Sequence, residues 1–223
     1  MKSSIVTLAL LSALSISHAG DIPEPVQNPV SIGDSWTFKR SGKGETTIQS
    51  RIIFKIAQQG ANNKFTVQAL SGEVSGRVPT TWRNAGAVDT DACIIDFFGG
   101  GTLGITNSCH TTFVPGMDWN TEENDKGTRT IQRHLVIGPE EVTVGAGRFS
   151  ATRIESHWEV AKLLNPGKTP AKYGPPLRHH FTYWYAPETK TMVKTEREFR
   201  NAAGAVEMRS TDELQGFRVQ KPR

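Results

Sequence analysis

The side chains with chemistry to offer are few in this sequence of 223 residues. They are two cysteines, a handful of histidines, one glycine-rich run and one acidic run. Cys93 and Cys109 are the two cysteines. In an oxidising compartment an isolated pair is expected to join as a disulfide, and a crosslink closing a loop this short stabilises by about 3 kcal/mol in the chain-entropy treatment. In a reducing compartment the same residues are two free thiols. Beyond the first nineteen residues the histidines are His110, His134, His157, His179 and His180. None has a zinc spacing such as H-x-x-x-H on a helix. His179 and His180 are adjacent, so on a strand they point to opposite faces and do not share an ion. No metal site is assigned from the sequence, although strands can gather ligands that lie far apart along the chain.

The run Gly99-Gly100-Gly101-Thr102-Leu103-Gly104 fits G-x-G-x-x-G. A dinucleotide fingerprint must open a helix whose N-terminus faces the pyrophosphate. Here a short polar stretch and Pro115-Gly116 follow instead, so the run reads as a flexible loop flanked by the cysteines. Asp118, Asn120, Glu122, Glu123 and Asp125 resemble a calcium loop only loosely. Its sixth position is Glu123 rather than Gly, and its twelfth is Arg129 rather than Glu. A solvated acidic turn is expected there. G-x-S-x-G, the common serine-hydrolase elbow, is absent. No catalytic residue and no cofactor is assigned, and no binding residue can be named.

The elements that would position these residues read as strands. Alternating or apolar runs occupy 35–40, 48–57, 64–70, 73–78, 92–98, 110–114, 128–137, 141–144, 148–160, 180–186, 191–200 and 206–216. Phe181, Tyr183 and Tyr185 share one face of such a run, with Trp184 on the other. Residues 151–164 also fit a helical spacing, but strands on both sides favour a strand. Gly145-Ala146-Gly147 suits a tight hairpin turn with positive φ. Residues 165–178 form a long loop with four prolines, Lys168, Lys172, Arg178 and no acid. The expected fold is all-β, a curved and mainly antiparallel sheet, partly closed like a barrel.

The first residues read as a secretory signal. Lys2 precedes an apolar core, and Ser17-His18-Ala19 suits cleavage before Gly20. About twelve apolar residues are too few to span a bilayer, which takes about 20. The expected organisation is a cleaved signal at 1–19, a Pro-rich extended lead-in at 20–32, a single β domain at 33–218 and a basic tail at 219–223. Cleavage changes the formal charge from +4 to +3, since only Lys2 is lost. That mild and scattered excess, with no recognised motif, gives no support to nucleic-acid binding. The expected location is periplasmic or secreted, with no transmembrane segment after cleavage.

Several stretches carry a resemblance. VTVGAGRF at 142–149, YWYAP at 183–187, MVKTE at 192–196 and GDSWTF at 33–38 resemble the VTVPAGxF, WYAP, VKxE and GDSWTY stretches of a family of exported bacterial proteins of unknown function. That family is related in shape to periplasmic lipoprotein carriers. This chain has Gly145 where proline is usual, and Glu188-Thr189-Lys190 where a glycine-rich turn often follows Ala-Pro. The resemblance implies a curved antiparallel sheet and an exported location, and carries no active site.

Three functions stay open at this level. The first is a non-enzymatic binding or envelope-accessory protein for a lipid, a glycan or an envelope partner, using an apolar concave face with the basic loop beside it. The second is a hydrolase-type enzyme with a site assembled across strands. The third is a structural interaction module.

Overall fold

The computed structural model describes residues 29–43, 48–59, 63–73, 83–98, 103 and 108–220. The expected signal at 1–19, most of the expected lead-in, the glycines of the 99–104 run, residues 74–78 and the last three residues lie outside the described residues. Ten strands form one antiparallel sheet. They are β1 (Ser35–Lys43), β2 (Ile48–Gln59), β3 (Lys64–Glu73), β4 (Arg83–Asp89), β5 (Asp118–Asp125), β6 (Thr128–Val144), β7 (Gly147–Lys162), β8 (Leu177–Ala186), β9 (Thr191–Arg200) and β10 (Val206–Arg218). The order across the sheet is β4-β3-β2-β1-β10-β9-β8-β7-β6-β5. The sheet is curved and is not closed into a barrel; β4 and β5 are its two edges. No helix among the described residues is long and apolar enough to cross a membrane.

Most strands follow the expected alternation, and residues 151–162 are strand, not helix. The runs at 128–137 and 141–144 merge into β6, because a bulge after Val136 with Gly138 at φ 140° carries the ladder past Pro139. Two expectations at the edges fail. Residues 118–125 are the edge strand β5, not an acidic turn. The carboxylates sit on an edge open to water, where charge discourages pairing with another chain. β4 was not expected at all. Its Ala85-Gly86-Ala87 centre is exposed and shows no apolar alternation.

Residues 92–98 and 110–114 are not strands. β4 and β5 are consecutive in sequence yet lie at opposite edges, so the connection between them must traverse the whole sheet. Its described residues 92–98 lie over the apolar face. Ala92, Cys93, Ile94, Ile95 and Asp96 are all buried in succession, which no half-buried strand achieves. Phe97 stacks on Phe54 with ring centroids 4.3 Å apart, and Phe98 meets Phe38 edge-on at 5.0 Å. The crossing chain is also hydrogen-bonded to the sheet. Ile95 N–H donates to Lys190 O at 3.0 Å, Thr191 Oγ1 donates to Ile95 O at 2.8 Å, and the Tyr185 hydroxyl donates to Cys93 O at 3.2 Å. Cys93 and Cys109 lie at disulfide distance, their Cα atoms 4.8 Å apart.

The stretches at 33–38 and 183–190 form a joint. Trp36 Nε1–H donates to Thr189 O at 2.7 Å. Lys190, left-handed at φ 59°, sends Nζ to Asp34 Oδ2 at 2.8 Å and to Pro29 O at 2.9 Å. Lys190 thus takes the positive-φ position that a glycine-rich turn would supply, and its ion pair is fully inside the protein. At the β6–β7 turn Gly147 has φ 136°, as expected, and Ala146 N–H donates to Leu214 O at 2.9 Å. The hairpin tip thereby bends past β8 and β9 to reach β10.

Candidate polar-face site

The register of β7 to β10 lays two rows of polar side chains across the uncovered face. One row runs His157, His180, Glu198, Arg209 through the pairs β7–β8, β8–β9 and β9–β10. The parallel row, two residues along each strand, runs Glu155, Thr182, Glu196, Thr211 and ends at Ser41 on β1. A cleft of about 380 Å³ follows these rows, lined by Ser41, His180, Thr182, Glu196, Glu198 and Arg209 among others. Side chains that alternate on a strand point to one face at every second residue, so each row is a direct product of the ladder.

The charges in the cleft are cross-linked. Arg209 Nε donates to Glu198 at 2.7 Å and Arg200 Nε donates to the same carboxylate at 2.6 Å. The Arg209 hydrogen bond is the main cause holding Glu198 below the usual carboxylate range. Lys194 Nζ lies 2.7 Å from Glu196. Beyond the cleft, Trp184 is flanked by two cations, with Lys194 Nζ 4.7 Å and the Arg153 guanidinium 5.9 Å from its ring. His180 stacks on His157 with centroids 4.5 Å apart and planes 2° from parallel. Burial first, and the neighbouring His157 next, lower the His180 pKa.

His179 points the other way, as adjacent strand residues must, and packs edge-on against Phe199 at 4.4 Å. Burial lowers its pKa as well. His134 lies on the apolar face. It shares a hydrogen bond with Ser156 Oγ and stacks on Trp119 at 4.7 Å. A serine beside an imidazole is the start of a nucleophile–base pair. Here Ser156 is fully buried and His134 is 2% exposed, so a substrate carbonyl has no approach. Desolvation lowers the His134 pKa to about 4.

Asp96, on the crossing segment, lies against Tyr183 and Arg197; its charge adds to the burial that raises the Tyr183 pKa. Arg197 and Arg40 both donate to Asp212, which is fully buried. A second cleft of about 400 Å³ lies toward the β4 edge, between Phe54, Val67, Val88, Ile95 and Phe97. The basic loop at 165–178 is ordered by Asn165, whose side chain donates to Pro170 O at 2.9 Å and accepts from Lys172 N–H at 2.5 Å. It leans on the β5–β6 tip, where Tyr173 donates to Asn124 at 3.3 Å.

Cys93 and Cys109 are brought together as the sequence suggests, and they pin the crossing segment. The polar rows were not foreseen. Their members sit on five strands, and only the i, i+2 spacing within a strand, as in Glu155 and His157 or Glu196 and Glu198, could have signalled a shared face.

No protein-family model matches the chain, and no curated protein matches it. Solved structures do resemble it. A candidate lipoprotein from Parabacteroides distasonis aligns with a TM-score of 0.46 at 12% identity, over 87% of this chain and 99% of the other. A candidate exported protein with a YmcC-like fold from Bacteroides fragilis gives 0.41 at 11%, over 85% and 97%. The hypothetical lipoprotein YmcC of Escherichia coli gives 0.34 at 11%, over 84% and 85%.

Proposed function

We propose that this chain is an exported, non-enzymatic binding or envelope-accessory protein that takes a polar ligand, a glycan in the first place, on the polar face of its sheet. One observation carries the reading. The centre of the apolar face, where an acyl chain would lie, is covered by the protein's own residues 92–98, tied down through Cys93 and Cys109, while the cleft on the opposite face is lined by His180, Thr182, Glu196, Glu198 and Arg209. Hydroxyls, carboxylates and a guanidinium on a rigid ladder match the alternating donors and acceptors of a sugar chain. The disulfide and the signal-like start support an envelope or secreted location.

Native mass spectrometry of protein purified from the periplasm tests this, beside a screen of envelope oligosaccharides by thermal shift. The expected result is a mature chain beginning at Gly20 and a polar ligand whose binding is lost in Glu196→Gln and Arg209→Ala. An acyl-chain mass that remains in both variants would refute the polar-face reading.

A further inference from the structure

At the edge of the cleft the ladder brings together a second set of donors, of which only His180 also lines it. Glu155 and His157 are two residues apart on β7, so both stand on the polar face, and His180 is the direct cross-strand partner of His157 on β8. One ligating atom from each of the three lies within 4.8 Å of the others. His180 Nε2 is buried and has no hydrogen-bond partner. Arg153 Nη2 donates to Glu155 Oε1 at 2.7 Å, which fixes the carboxylate and leaves its other oxygen for a ligand.

We propose that Glu155, His157 and His180 form a binding site for a divalent first-row transition metal ion of the zinc or copper type. Two imidazoles and one carboxylate are the donor set such ions favour, and the set is poorly matched to magnesium or calcium, which take oxygen ligands. Three protein ligands leave a position open to water or to a further ligand. Zinc–ligand bonds of about 2.0–2.1 Å put neighbouring donors of a tetrahedron about 3.3 Å apart, so the three must close by a side-chain rotation. His157 is exposed, so its ring can leave the stack on His180 and rotate into solvent, whereas His180 is half-buried between its neighbours on the sheet. The site shares His180 with the cleft of the glycan reading but needs no residue of β9 or β10, so Glu196→Gln and Arg209→Ala, which should lose the glycan, should keep the metal.

The test uses the full exported chain made without a polyhistidine tag, stripped with EDTA and titrated calorimetrically with zinc chloride and, separately, copper chloride. The expected result is one ion per chain. His157→Ala and His180→Ala should each weaken binding at least about tenfold, the scale seen even for residues that only support metal ligands. His179→Gln, on the opposite face, should bind as the wild type does. Copper electron paramagnetic resonance of the wild type should show hyperfine coupling from two imidazole nitrogens. No saturable binding of either ion to the wild type, or binding that persists unchanged in His157→Ala, overturns the proposal. Should His180→Ala fail to fold by circular dichroism, the exposed His157→Ala and the wild-type spectrum decide.

Discussion

On the apolar face of the sheet Trp36, Phe38 and Phe54 meet rings of the crossing segment; on the polar face of β7 to β10 charged and polar side chains meet one another and an open cleft. Phe54 is stacked by Phe97, whereas Thr182, a few strands away, borders an open cleft. The same ladder supports both. Burial is concentrated where the chain folds back on its own sheet, and the proposed binding face is the one that segment does not cover. Substitutions should therefore differ in kind between the two faces.

The largest effect is expected at the joint between the start of β1 and the β8–β9 turn. Lys190→Met leaves Asp34 charged, buried and without its cation, which should cost about 3–5 kcal/mol in urea unfolding at neutral pH. A loss within 1 kcal/mol, on the order of a surface change, would mean that water reaches Asp34. Next comes acid. His134 has a folded pKa near 4 against about 6.5 when unfolded, so it is neutral in the fold and charges on unfolding. Its contribution is present above pH 6.5 and is lost as pH falls toward 4, by up to about 3 kcal/mol. Urea midpoints at pH 7 and 4.5 should separate by less in His134→Gln than in the wild type; equal separations would rule out His134 as the source.

Joint replacement of Cys93 and Cys109 by serine releases the crossing segment and should cost about 3 kcal/mol. It should also raise binding of a fluorescent apolar dye, because the covered aromatic face is uncovered in part. Gly147→Val should lose about 1–3 kcal/mol of stability from backbone strain alone, since nothing lies within 4 Å of a Cβ built there. An unchanged melting temperature would show that the β6–β7 turn relaxes. The smallest effect belongs to the other face. Glu196→Gln and Thr211→Ala should each change stability by no more than about 0.5 kcal/mol, although Glu196→Gln should abolish the proposed ligand binding.

The strands of the centre were legible because period-two alternation directly reports a buried face, as in Phe181, Tyr183 and Tyr185. The positive φ at Gly147 was legible because only glycine adopts it cheaply. The edges were not. β5 carries acids and β4 carries Ala-Gly-Ala, and an edge strand makes no demand for an apolar side that a pattern could reveal. The crossing segment failed for the opposite reason. Ala92 to Asp96 is apolar enough for a strand, but its residues fill a cavity rather than join a ladder. That role depends on β4 and β5 standing at opposite edges, which no local window contains. The polar rows were hidden because register, not spacing, assembles them. His157 and His180 become neighbours only once β7 and β8 are paired.

The seam between β1 and β10 has a kinetic consequence. Trp36 stands opposite Phe217, so one of the first strands formed must wait for the last before its second edge is satisfied. Two meanders, β1–β4 and β5–β10, can each zip up through hairpins between neighbours. The closure that joins them spans nearly the whole chain and carries the full entropic charge of a long loop before any contact rewards it. The β1–β10 pairing is thus the contact of longest range in the sheet and the one expected to form slowest. A chain that has threaded through a membrane N-terminus first cannot begin that pairing until residues 206–218 have emerged.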